Sequence, residues 1–116
     1  MQTQVYESSY IVNSYHAVDF NTREVIEADE RGYISPAPGT KIVFPNPNDV
    51  KDRLADLNTI VLMTQDTPLK IMINDNAMYP LYVEPNSIKG IEYIRVYSIT
   101  VISGGPFYFE GLSSET

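Results

Sequence analysis

The amino-acid sequence predicts an all-β fold: a single antiparallel β-sandwich or jelly-roll-like barrel over residues 1–116, with one short helix near residues 48–57. Three observations carry this prediction. Residues 69–112 place four runs of strand-forming residues between turn signals. Within them, Leu69, Ile71 and Ile73 alternate with Lys70, Met72 and Asn74, the period of two expected of a strand with one buried face. Helical periodicity occurs only at Val50, Leu54 and Leu57, spaced i, i+4 and i+7.

Taken in order, residues 1–9 are polar apart from Val5 and Tyr6 and read as a loose arm or a first edge strand. Residues 10–15 read as a strand and residues 18–20 as its short continuation, with turn chemistry over residues 19–22. Residues 23–27 and 32–34 flank the acidic Glu27-Ala28-Asp29-Glu30, a solvated turn that lacks the ligand spacing of a calcium loop. Ser35-Pro36-Ala37-Pro38-Gly39 is a rigid connector to a short strand, residues 41–44, closed by Pro45-Asn46-Pro47. Asn48 then stands as an N-cap, with Asp49 and Asp52 at the positive end of the helix dipole and Arg53 one turn from Asp49. This predicts roughly two to three helical turns across one end of the sandwich. Residues 59–64, with four successive apolar side chains from Ile60 to Met63, read as a central strand covered on both faces.

Asn74, Asp75 and Asn76 supply a turn, because Asn and Asp tolerate left-handed backbone. The return strand, residues 78–83, buries its apolar set only if Ile73 meets Tyr79, Ile71 meets Leu81 and Leu69 meets Val83, which requires an odd-numbered loop. A three-residue loop calls for Gly or Asn where Ala77 stands, so a five-residue loop fits equally well. Pro80 donates no ladder bond, which places this strand at a sheet edge or turns its nitrogen outward there. Beyond the Pro85-Asn86 turn, apolar residues of both parities between Ile91 and Ile102 predict a bend near Arg95, where the chain passes from one sheet to the other. Gly104-Gly105-Pro106 ends that run, Phe107 to Phe109 form a last aromatic strand, and residues 113–116 read as a polar tail.

The composition bounds function by exclusion. Fifteen acidic against eight basic residues give a net charge of −7, which disfavours anionic membranes and a sequence-independent grip on nucleic acid, since such binding displaces counterions with Lys and Arg. Without cysteine there is no disulfide, thiolate metal site or cysteine nucleophile. The single histidine, His16, reads as a surface residue at a strand end. The sequence contains no nucleophile elbow, phosphate-binding glycine loop or metal-spaced histidine pair, so no catalytic residue, cofactor or metal ligand is assigned. The carboxylates Asp66, Asp75, Glu84 and Glu92 fall in the β region, but spacing in sequence does not establish a catalytic pair. The first residues lack a basic region followed by an apolar core, and no run approaches a membrane span, which implies synthesis in the cytoplasm without a signal peptide.

The order Ile71-Met72-Ile73-Asn74, Pro80-Leu81-Tyr82-Val83, Pro85-Asn86, Ser98-Ile99-Thr100-Val101 and Gly104-Gly105-Pro106 followed by Tyr108 resembles the C-terminal half of small β-sandwich proteins of tailed bacteriophage particles. These are capsid decoration proteins, head-fibre modules and tail components. The resemblance covers about the last 45 residues and transfers no catalytic residue. It implies a non-enzymatic structural protein of the virion that binds other virion proteins and copies of itself, with avidity adding many modest contacts. The preferred hairpin register turns Met72, Met78 and Tyr82 away from the core, an outward apolar patch expected either to meet another subunit of a symmetric homo-oligomer or to be covered by a second sheet or the helix. Two other readings stand beside it. A carbohydrate-binding module also presents aromatic faces on a β-sandwich. An acidic inhibitor of a nucleic-acid-binding protein would group its carboxylates on one face, whereas here they are scattered along the chain.

Overall fold

A computed structural model of the chain describes residues 9–44, 57–75, 80–92 and 94–114. Its eight strands are β1 (Ser9–Asn13), β2 (Lys41–Val43), β3 (Leu57–Thr64), β4 (Leu69–Ile73), β5 (Leu81–Val83), β6 (Ile88–Ile91), β7 (Ser98–Gly104) and β8 (Phe107–Ser114). They form two four-stranded antiparallel sheets, one ordered β1-β8-β3-β6 and the other β2-β7-β4-β5. The pairs β1·β8, β2·β7, β3·β6 and β4·β5 are nested about the β4–β5 connection, and every other connection passes from one sheet to the other. This is the strand order of a jelly roll, the expected β-sandwich in its more specific form.

The strands form where alternation lets one face leave water. Ile60, Leu62, Phe107 and Phe109 of the first sheet face Ile42, Leu69, Ile71, Ile73, Val83, Ile99 and Val101 of the second, all buried in one cluster. Burying each such side chain contributes about 1.5–3 kcal/mol. Phe44 meets the edge of Phe109 with ring centroids 5.5 Å apart, joining the end of β2 to the opposite sheet.

The predicted hairpin register is observed: Leu69 pairs with Val83, Lys70 with Tyr82 and Ile71 with Leu81. Residues 76–79, and with them the Ile73–Tyr79 pair, the loop length and Met78, lie outside the described residues. The return strand is at a sheet edge, one of the two placements read from Pro80, and begins at Leu81, immediately after that proline. The passage between sheets also occurs where parity breaks: β6 ends at Ile91 in one sheet and β7 begins at Ser98 in the other, with Val96 buried between them.

Several expectations are corrected. The first strand ends at Asn13, and Ser14–His16 form a 3-10 turn because the Asn13 side chain accepts a bond from Tyr15 N at 3.0 Å and Ser14 O accepts one from Ala17 N. β3 is an interior strand, but its apolar run is not covered twice: Ile60, Leu62 and Thr64 are buried while Val61 and Met63 remain half-buried on the outer face. The last strand continues through Ser113 and Ser114, because β8 lies between β1 and β3 and main-chain pairing on both sides tolerates polar side chains. Leu57, the last residue of the predicted helix, opens β3; its other positions fall within residues 45–56, outside the described residues, as do residues 1–8 of the predicted arm.

Two local contacts fix the connections. Gly104 (φ 138°) and Gly105 cross the β3–β4 turn so closely that a Cβ on Gly104 would stand 2.7 Å from Pro68 O, and one on Gly105 2.5 Å from Thr67 Cβ. Asn74 (φ 55°), at the end of β4, holds the β6–β7 crossover. Its Nδ2 donates to Arg95 O at 2.6 Å, and its Oδ1 accepts from Tyr97 N at 2.7 Å and Ser98 N at 3.2 Å. Tyr97 OH donates to Asn74 O at 3.0 Å.

Replacing Asn74 with Ala removes three side-chain bonds and leaves in left-handed backbone a residue that adopts it less readily than Asn. The expected loss is on the order of 3 kcal/mol, read in thermal unfolding as a Tm lowered by roughly 10 °C. Asn74→Gly should recover only the backbone part, about 1 kcal/mol.

Candidate functional site

The two lateral sides of the sandwich differ. On one side, the long connection between β1 and β2 pairs with the sheets: Asp19 bridges to Ile42, and Phe20 N donates to Lys41 O at 2.8 Å, which covers the outer edge of β2. Ile34 exchanges both main-chain bonds with Phe107, at 2.9 and 3.0 Å, continuing the first sheet past the end of β1. On the other side, β5 and β6 end their sheets, and among the described residues neither has a second strand partner.

The open side is built on a fixed corner. The β5–β6 turn contains Pro85 and the left-handed Asn86 (φ 52°). Thr64, buried at the end of β3, accepts a bond at its Oγ1 from Ser87 N at 3.1 Å and donates to Glu84 O; Thr64 N donates to Ser87 O at 3.0 Å. Beside this corner Pro80, Leu81, Tyr82, Val83, Ser87 and Ile88 help line an open groove of about 500 Å³. Tyr82 is 51 % exposed and Ile88 70 % exposed.

Met72 and Tyr82 share the outer face of their sheet. Leu69, Ile71, Ile73 and Val83 take the buried face, Tyr82 stands opposite the exposed Lys70, and Met72 is half-buried opposite Thr100. Of the three patch residues read from the sequence, the fold therefore brings two to one face, and Met78 lies outside the described residues. Ile88 was missed. Its parity with Gly90 was a readable signal, since a strand that alternates Ile-Lys-Gly-Ile has only a weak buried face.

A second aromatic surface lies around the long connection. Buried Gly32 leaves no space for a side chain: a Cβ there would stand 2.9 Å from both Tyr15 and Tyr108. Tyr33 and Tyr108 place their ring centroids 6.1 Å apart, and Tyr15 OH donates to Glu30 O at 2.9 Å. Ser14 Oγ donates to Gly32 O, anchoring the turn beneath the rings. Nothing in the sequence spacing brings these three tyrosines together; the strand order does. No cluster of three or more His, Cys, Asp or Glu side chains suited to a metal ion occurs among the described residues.

Tyr108 OH donates to Glu110 Oε2 at 2.8 Å. Its pKa is pushed up to about 12, first by burial, then by the bond to Glu110 and that carboxylate's charge. Since the folded pKa lies above the ordinary value of 10.0, the stabilising effect is complete below pH 10 and is lost as pH rises toward 12. In a spectrophotometric titration of the folded protein, Tyr108→Phe should therefore remove a late-ionising phenol, not one that titrates near 10. Comparison with known protein families, curated proteins and solved structures returned no match to this chain.

Proposed function

We propose that this chain is a non-enzymatic structural protein of a tailed-phage virion, a capsid decoration or head or tail accessory component, which acts by binding copies of itself and other virion proteins. The observation that supports assembly most directly is the open side of the sandwich, where Tyr82 and Ile88 stand exposed beside a groove on a hydrogen-bonded corner. Aromatic side chains that present a large apolar area on a fixed backbone are the usual anchors of protein interfaces. The virion itself rests on the resemblance of residues 69–112 to small phage sandwich proteins, and a jelly roll is among the architectures used in capsids.

The tyrosines around Gly32 favour carbohydrate binding as the second reading, since planar rings stack against sugars. Saturable binding in a glycan screen, lost in Tyr15→Ala, is its expected signature. A protein that binds no glycan would leave assembly as the stronger reading.

For assembly, Tyr82→Asp should convert the oligomer measured by light scattering into a monomer and leave the circular dichroism spectrum intact. A surface substitution away from the core costs the isolated fold no more than about 0.5 kcal/mol. Unfolding of the variant would show that Tyr82 supports the core.

A further inference from the structure

The two edges without a second strand partner among the described residues are not equivalent, and the main-chain hydrogen bonds separate them. Asn74 N donates to Ser98 O, so Asn74 and Met72 direct their peptide groups toward β7, and Ile71 directs its own toward β5. Leu81 answers Ile71, which leaves Pro80 and Tyr82 pointing outward from β5. Pro80 has no N–H to offer, so this edge is blunted. On the other edge, Thr64 N donates to Ser87 O, which makes Leu62·Lys89 and Ile60·Ile91 the hydrogen-bonded pairs. The N–H and C=O groups of Ile88 and Gly90 therefore point away from β3, and a Cβ built on Gly90 meets nothing within 4 Å.

We infer that β6 pairs antiparallel with β6 of a second copy, joining the two β1-β8-β3-β6 sheets into one continuous sheet across a two-fold axis at Gly90. Outward-pointing residues must face each other for the bonds to close, which limits the register. Placing Lys89 on the axis sets two ammonium groups directly opposite and is unfavourable. Placing Gly90 there pairs Ile88 with the partner's Glu92, sets Lys89 against an isoleucine rather than a second lysine, and fills the outward groups of Ile88 and Gly90. The strip from Ile88 to Glu92 carries one cation and one anion in a chain of net charge −7, so two acidic copies meet there without local repulsion. This inference rests on the assembly reading and names the surface through which copies meet.

The chain has no cysteine, so introduced thiols report the register directly. Lys89→Cys and Ile91→Cys chains, mixed and oxidised, should form a covalent dimer, because the two positions oppose each other as a non-hydrogen-bonded pair with Cα atoms about 4.5 Å apart. Each variant alone should remain uncrosslinked. Gly90→Pro removes an outward N–H and no bond to β3, so it should halve the mass measured by light scattering without loss of the folded spectrum. If the unmodified chain is an oligomer but neither the mixture crosslinks nor Gly90→Pro dissociates it, the β6 pairing is wrong and the assembly reading stands. Crosslinking of Lys89→Cys alone would overturn the register. A strict monomer at every concentration would overturn both.

Discussion

The amide of Asn74 is the small contact on which much of the architecture turns. A jelly roll requires the chain to leave one sheet and enter the other at a defined residue, and that passage falls between Ile91 at the end of β6 and Ser98 at the start of β7. One side chain that both donates and accepts can hold such a segment at two points, as Asn74 does by bonding Arg95 O while receiving Tyr97 N and Ser98 N. Its left-handed backbone turns the end of β4 toward that segment, a conformation Asn adopts at less cost than most residues. The register of β7 against β4 follows, and β2 pairs on β7.

The same economy appears at the other turns. Gly104 and Gly105 allow the β7–β8 connection to lie against Thr67, Pro68 and Leu69, so one turn is seated on another. Thr64 holds the β5–β6 corner, and Asn86 N donates to Gln65 O beside it. Fixed turns at both ends leave the lateral sides to differ freely. One is closed by the chain's own long connection, and the other presents strand edges to whatever comes next.

Much of the fold was legible because burial has a parity. A one-residue slip in the β4–β5 pair would have turned Leu81 or Val83 to solvent, so the register followed from the apolar pattern alone. Pro80 marked an edge and the change of parity near Arg95 marked the passage between sheets, both for local reasons. Neighbours distant in sequence left no such trace: nothing in residues 9–13 specifies residues 110–114 as their partner. Parity also placed Tyr82 and Met72 on an outward face. It could not bring Tyr15, Tyr33 and Tyr108 around Gly32, because that meeting depends on the 3-10 turn and on the position of β8. The polar end of β8 was misread as a tail for a related reason. Central strands are held by backbone bonds, which any side chain permits.

The nested strand order also dictates when the fold can form. β8 lies between β1 and β3, and β7 between β2 and β4, so one of the two interior strands of each sheet comes late in the chain order. Until residues 98–114 have emerged from the ribosome, β1 and β2 lack their ladder partners and the apolar cluster lacks Ile99, Val101, Phe107 and Phe109. Folding thus waits on residues 98–114, is dominated by contacts between distant parts of the chain, and belongs to the slow class of β-topologies.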